Sequence, residues 1–480
     1  MGDHKWRLEE FDQYVTNNIP IRLIHLSTMK FMERDDVRKH FQSSVPRAHS
    51  LHYKHSDLVQ YVILSHRWLD SEEPTYKEMK AGTAAGPGYE KLKKFCEQAR
   101  KCNVEFAWSD TCCIDKSSSA ELDESIRSMF RWYRNSAICI VHLAKSTTIQ
   151  DILKDEWTAR GWTLQELLAP LCIKFFNKHW KPMTDDPNDK RKDPDTEILR
   201  TLEKATGIPR DKLYWEFKPG PFKVDERMVW AAKRKTKKDE DVAYSLMGIF
   251  DVSLQIAYGE GRDRAFCRLI EAIMQAGDPS VLNWKGTAAH HHTSAVIPRS
   301  PSSFLGRQQL ELASTKLEMT MTSLGLKVPL VILPLNLPSE MAKEKGRARI
   351  KFECPLYPNI KIPIITMDDL AYDQYQYGLG IINYSLVRDG SHEVLGIQGK
   401  SVGFPLRCRR ESQRAFVAPT SKSEPKKTKV VGFETDSHPK QTCKRWRKMR
   451  EDGLIQVNFP IIPSDSILYI KHKYLQTVYL

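Results

Sequence analysis

The sequence has no hydrophobic run that approaches the roughly 20 residues a membrane-spanning helix needs. Its first residues, MGDHKWRLEEFDQY, are charged and lack the apolar core of a secretory signal. Trp6 stands where a myristoylation motif wants Ser or Thr. No membrane partner is expected, and the expected compartment is the cytosol. Ten cysteines are scattered from Cys96 to Cys443 with no C-x-x-C pair. The vicinal Cys112 and Cys113 are a poor start for a zinc site, so the thiols read as small hydrophobes of a reducing compartment. His49, His52 and His55, and the triplet His290 to His292, read as solvated connector and linker rather than metal ligands. Neither G-x-G-x-x-G nor G-x-x-x-x-G-K-[ST] occurs, which argues against a Rossmann dehydrogenase and a P-loop NTPase. No cofactor is expected, and no internal repeat is visible.

What is present is a chain of 480 residues, 41% hydrophobic and 10% aromatic, enough for two or three domains with real cores. The formal charge is +14, with much of the surplus in residues 422–450. Trp446 is the only aromatic between 440 and 450, whereas a nucleic-acid footprint interleaves aromatics with its basic residues. The run reads as a solvated face, and nucleic acid is not an expected partner.

Residues 58–184 alternate short apolar runs with helix-length amphipathic segments. Residues 59–65 (VQYVILS) stop at His66-Arg67-Trp68, and 104–109 (VEFAWS) stop at Asp110-Thr111-Cys112-Cys113. Residues 138–143 (ICIVHL) and 172–176 (CIKFF) are two more such runs. Between them lie predicted helices at 89–102, 118–135 and 159–168. The second starts on a Ser118/Glu121 capping-box pattern and carries a stripe of Leu122, Ile126, Met129, Phe130 and Tyr133. Such alternation predicts an α/β fold with a parallel sheet flanked by helices, whose ligands bind beyond the carboxyl ends of the strands. An N-terminal strand and polar connector (1–57) precede this core. A helical extension follows (185–284), opened by a charged loop at 185–197 and holding helices near 197–206, 226–235, 240–250 and 261–276. Then come a Gly/Ser/Pro/His linker (285–306) and a β-rich, mainly antiparallel C-terminal domain (307–480).

Trp162 and Glu166 stand four residues apart in RGWTLQEL, so one helix face holds both at the carboxyl edge of the sheet. Spacing alone favours a core Trp162 and a surface Glu166. The segments YVILSHRW (61–68), GYEKLKKFCEQAR (88–100), WSDTCCIDKSSSAELDESIRSMFRWYRNSAICIVHL (108–143) and WTARGWTLQELLAP (157–170) resemble the fungal heterokaryon-incompatibility (HET) domain of self/non-self recognition. Residues 227–273 resemble the segment that often follows it. The chain departs from the family's usual Thr-Trp-Gly after Ser-His, with Arg67-Trp68-Leu69 there.

HET domains are in turn similar to TIR domains, and the likeness implies a TIR/flavodoxin-like fold. In enzymatic TIR domains the Glu of the SxWCLDEL pattern cleaves the nicotinamide–ribose bond of NAD. Carried onto GWTLQEL, that catalytic residue is Glu166, with Trp162 beside it. The chemistry suits one carboxylate: the transition state is oxocarbenium-like and the leaving group is already cationic, so no general acid is needed. Trp68, Trp108 and Trp162 are candidates to stack on a flat ring, Arg67 and Arg160 to pair with pyrophosphate, and Ser65, His66 and Asp110 to bind at the strand ends. The resemblance implies a cell-death effector with NAD as substrate, self-association through the TIR-like domain and a protein partner in incompatibility signalling. The competing expectation is a non-enzymatic module that assembles with a partner receptor. A third is a regulator that binds a nucleotide without turning it over.

Overall fold

Each of the four apolar runs becomes a strand. The computed structural model describes residues 2–45, 54–69, 72–190, 193–290, 294, 296–310, 316–337, 348–366, 375–389, 392–398, 400–409, 446–449, 454–458 and 467–480. Within it, β3 (Tyr61–His66), β4 (Phe106–Trp108), β5 (Ile138–His142) and β6 (Ile173–Phe176) follow β1 (Arg22–His25) and β2 (Lys30–Glu33). They form one six-stranded sheet in the order β2-β1-β4-β3-β5-β6. β4, β3, β5 and β6 run parallel to one another, with Ile63 opposite Trp108 and Cys139, and Val141 opposite Phe175. Both faces are covered, which is why these strands are apolar throughout rather than alternating.

The expected all-parallel sheet is corrected in one respect: the sheet is mixed. β1 pairs antiparallel with β2 and with β4. The apolar stretch around residues 21–26 already reads as a strand, but its partner is not legible. What pins it is Arg22, almost fully buried. Its guanidinium reaches Glu33 at 2.7 Å and Glu121 at 2.8 Å, and donates to the Cys113 carbonyl at 3.0 Å. Glu121 is thereby diverted from the expected capping box. Ser118 still accepts from the Glu121 N–H, but the Glu121 carboxylate turns to Arg22 and to the Asp115 N–H at 2.6 Å.

The helices Pro87–Arg100 and Ser119–Asn135 lie where the sequence periodicity places them. The third expected helix is broken. A 3-10 turn covers Glu156–Ala159, and the α-helix runs only over Thr163–Leu168. The charged stretch after β6 is a loop as expected, but two of its charged residues turn inward. Asp189 is buried and accepts from the Phe175 N–H at 2.7 Å, and the buried Lys190 ammonium donates to the carbonyls of Leu167 and Pro170. A cation there satisfies helix-end carbonyls that would otherwise be unpaired. Further helices cover Glu197–Thr206, Val224–Ala231, Asp241–Tyr244, Met247–Phe250 and Arg262–Met274.

Contacts divide the chain into two units. One comprises Met1–Val281, Ala289–His291 and Pro298–Arg307; the other comprises Leu282–Ala288, His292–Ile297 and Gln308–Leu480. The second is β-rich, with strands Gly325–Leu335, Tyr375–Ile381, Lys400–Arg409 and Leu475–Tyr479 in one antiparallel sheet. Its core gathers Val331, Leu333, Phe352, Leu379, Ile381, Leu395 and Ile397. Among the described residues no helix is long and apolar enough to cross a membrane. His55 packs beside Phe11 and Tyr14, while His49, His52, His291, His292 and most of the basic run 422–450 lie outside the described residues.

Candidate functional site

The parallel strands end along one edge, and a cavity of about 250 Å3 opens beyond it. His66 at the end of β3, Asp110 just past β4, and Arg160, Gly161, Trp162 and Glu166 past β5 all line it. Trp68, Lys116 and the apolar Ile114, Leu122, Ile126 and Met129 complete one side. The helical stripe at 122–133 is thus only partly core: its first three members form an apolar wall of the cavity.

Glu166 lies at the floor, only 8% exposed. Its Oε2 accepts from Ser65 Oγ at 2.5 Å, and Ser65 Oγ accepts from Trp157 Nε1 at 2.7 Å. Burial, then the nearby Asp110 charge, push its carboxyl up to about 8. Asp110 is itself raised, chiefly by burial, and its Oδ2 accepts from Trp68 Nε1 at 2.9 Å. His66 is 4% exposed, and neither ring nitrogen has a hydrogen-bond partner among the described residues, although Nε2 stands 3.7 Å from Glu73. Burial and the cations around it, Lys91 first, hold its pKa well below the ordinary value, so the ring is neutral.

Spacing alone allows a core Trp162 and a surface Glu166. The reverse arrangement is found: the carboxylate is buried and the indole is partly open on the cavity wall. Trp162 Nε1 donates to Asp241 Oδ2 at 2.9 Å, and Asp241 Oδ1 accepts from Tyr258 OH at 2.9 Å. Of the other expected residues, Ser65 sits beneath Glu166. Arg67 pairs with Glu156 at 2.6 Å and is not among the cavity-lining residues. Trp108 is fully buried, edge-on to Trp132 at 5.7 Å, and so belongs to the core.

The second wall escapes sequence reasoning. Lys235, Thr236, Lys237, Lys238, Asp241 and Tyr258 line the cavity from the helical extension. They arrive through a main-chain bridge: the Gly161 N–H donates to the Lys235 carbonyl at 2.8 Å, and the Lys235 N–H to the Ala159 carbonyl at 2.7 Å. A Cβ at Gly161 would lie 2.5 Å from Thr236 Cγ2, so any larger residue there would have to displace the Thr236 side chain. Arg234, half-buried behind the bridge, donates to the Arg160 carbonyl at 2.9 Å and to Thr163 Oγ1 at 3.0 Å. The sequence offers only the likeness of residues 227–273 to the segment that often follows the HET domain, which does not place KRKTKK (233–238) at the cavity.

The floor therefore holds buried acids and a neutral imidazole, one wall is apolar, and the rim is cationic. Such a site fits a ligand with a flat ring, hydroxyls and phosphates. The Ser65 hydroxyl is the joint of the floor. Ser65→Ala should leave a buried Trp157 Nε1 without its acceptor, at a cost of about 1–3 kcal/mol. Chemical denaturation would show it as a lowered midpoint; an unchanged midpoint would mean that the indole finds another acceptor.

Residues 61–150 match the family model described as Heterokaryon incompatibility protein (HET). Vegetative incompatibility protein HET-E-1 of Podospora anserina is 44% identical over 226 residues, covering 44% of this chain and 16% of that protein. The chain thus spans about a sixth of that relative's length. No solved structure matches. The residues that match this model supply His66, Trp68, Asp110 and Lys116 to the cavity.

Proposed function

We propose that the chain is an effector of fungal non-self recognition and programmed cell death that cleaves NAD at the nicotinamide–ribose bond, with Glu166 as the catalytic carboxylate. The observation that carries this reading is the buried Glu166, joined to Ser65 at the carboxyl edge of the sheet and open to the cavity. The HET match and the likeness to HET-E-1 support the incompatibility role. The order of the four parallel strands, β4-β3-β5-β6, is the 2-1-3-4 order of a flavodoxin-like sheet, which supports the TIR likeness.

In the free protein Glu166 is protonated at neutral pH, because burial disfavours its charge. A pyridinium ring beside it reverses that preference: the opposite charge favours the carboxylate, and the ribosyl cation developing in the transition state favours it further. The C–N bond to the ring breaks, releasing neutral nicotinamide, and water adds to the ribose carbon as its proton passes to the Glu166 carboxylate. Trp162 walls the ring, and Arg160 and Lys116 face the pyrophosphate.

Purified full-length protein incubated with NAD should release nicotinamide. Because kcat/KM reports the free protein, it should climb as pH rises through about 8. A profile flat from pH 6 to 9 would remove Glu166 from the role. No nicotinamide at any pH would leave the competing reading, a TIR-like module that signals by assembly with a partner.

A further inference from the structure

The Ser65 hydroxyl beneath Glu166 keeps one freedom, the direction of its own proton. Ser65 is fully buried, and its main chain is fixed in β3 opposite Val141. A hydroxyl offers one proton and two lone pairs, whereas an indole N–H only donates. Trp157 Nε1 occupies one lone pair of Ser65 Oγ at 2.7 Å, so the Ser65 proton cannot point that way. Among the described residues the acceptor within its reach is Glu166 Oε2, at 2.5 Å.

The indole itself cannot turn aside. Trp157 is fully buried and stands edge-on to Phe175 on β6, with ring centroids 5.6 Å apart. Its main-chain N–H donates to Asp155 Oδ1 at 3.0 Å, and its carbonyl accepts from Thr163 Oγ1 at 2.6 Å. Taking Glu166 as the working carboxylate of the proposed reaction, we infer that Trp157 is a positioning residue: its indole N–H turns the Ser65 proton onto Glu166 Oε2 and so leaves Oε1 to the ligand. Donation into Ser65 Oγ also strengthens the bond that Oγ makes onward, because linked hydrogen bonds polarise one another. The nearby Tyr133 hydroxyl donates to the Leu64 carbonyl at 2.9 Å, so its proton is engaged away from Oε1. Oε1 is then the oxygen that meets the ribosyl cation and takes the proton of the attacking water.

A fixed donor at Oε2 favours the carboxylate, against the burial and the Asp110 charge that favour the acid. Arg160 before the helix and Arg234 of the extension also favour the carboxylate, while Tyr133 and Cys139 are kept neutral by burial. His66 is neutral, and Lys116, Lys235, Lys237, Lys238 and Asp241 supply the other charges of the cavity. A substitution at 157 removes none of these groups. It frees the Ser65 hydroxyl to rotate and accept from protonated Glu166, which favours the acid.

The test reads the Glu166 proton in the free full-length protein. Its carboxylic-acid carbonyl band in the infrared, isolated as the difference between each protein and its Glu166→Gln counterpart, disappears as the acid ionises. Ser65→Ala should move the midpoint up by about one pH unit, the size of one hydrogen bond to a carboxylate, and Trp157→Phe by at least about half as much. In the Ser65→Ala protein, Trp157→Phe should move it no further, because Trp157 acts through Ser65 alone. Replacing Trp157 by β-(3-benzothienyl)alanine keeps the bicyclic shape, lacks the N–H and should give the same shift as Phe; should Phe at 157 prevent folding, this protein and Ser65→Ala decide the matter. A midpoint that is unmoved or lowered in any of the three overturns the inference, and so does a Trp157→Phe shift of equal size with and without Ser65. A lowered melting temperature with an unmoved midpoint would make Trp157 a packing residue only. The two readings fail separately. If the midpoints move as expected but NAD yields no nicotinamide, cleavage is wrong and the positioning stands. If NAD is cleaved and the midpoints do not move, cleavage stands and the positioning is wrong.

Discussion

Glu166→Gln is expected to lower kcat/KM for NAD at pH 9 by at least about a hundredfold while stabilising the protein there. The loss follows from removing the one negative charge placed to meet the developing ribosyl cation; deleting a single preorganised electrostatic group of this kind costs about a hundred- to a thousandfold. Gln keeps the shape and an oxygen to accept from Ser65, so the cavity stays filled. The gain in stability follows from the raised carboxyl. Folded, Glu166 holds its proton up to about pH 8; unfolded, it loses it near the ordinary 4.5. Between those values the folded state binds the extra proton, so stability falls as pH rises through the window and the penalty is complete above it. Its full size is on the order of a few kcal/mol. Thermal melts of the two proteins should coincide near pH 4.5 and separate as pH rises, with the Gln variant higher. A wild-type melt that does not fall behind between pH 5 and 9 would place the Glu166 carboxyl in water. Full NAD cleavage in the variant would end its catalytic assignment, whatever the melts show.

The parts of this site that the sequence discloses are those built by local rules. Ser65, His66 and Asp110 are found because an apolar run stops at each and strand ends collect ligands in parallel sheets. The Trp162–Glu166 spacing is legible, yet its meaning is not. Whether Glu166 is buried depends on Ser65 and Trp157, 101 and 9 positions away in the chain, and spacing carries no information about them. Arg67 reads as a phosphate ligand because it adjoins the strand end, but Glu156 lies within reach of its guanidinium. The second wall is invisible for a different reason. Main-chain hydrogen bonds at Gly161 bring Lys235 to Lys238 into place, and main-chain pairing leaves no side-chain pattern. Asp189 and Lys190 show the same limit: composition marks a charged loop there, but not that these two side chains are buried against partners on β6 and at the helix end before it.

Gly248→Ala should be among the most damaging single-methyl changes in the first unit. Gly248 lies in the helical turn Met247–Phe250, which packs against the helix Ser119–Asn135. A Cβ at this position would stand 2.2 Å from Phe130 Cβ and 2.7 Å from Phe130 Cγ. Rotation of χ1 cannot relieve the first contact, because Phe130 Cβ is fixed to its own backbone. The two helices must therefore move apart, and close-packed interiors transmit such a shift rather than absorb it. Overpacking of this kind costs about 1–3 kcal/mol and occasionally more, which for a domain this size lowers the melting temperature by about 2–4 °C per kcal/mol. The consequence reaches the cavity. Ile126 and Met129, one turn and one residue before Phe130, form its apolar wall, and Asp241, which accepts from Trp162, lies in the short helix just before Gly248. Moving one helix from the other should widen the gap that the flat ring is to fill. The variant should thus lose ligand affinity even at temperatures where it is folded, with KM for NAD raised more than kcat is lowered. A melt within 1 °C of the parent, together with unchanged KM, would show that the Phe130 contact is looser than these distances require, since about 1 kcal/mol should already move the melt by more than that.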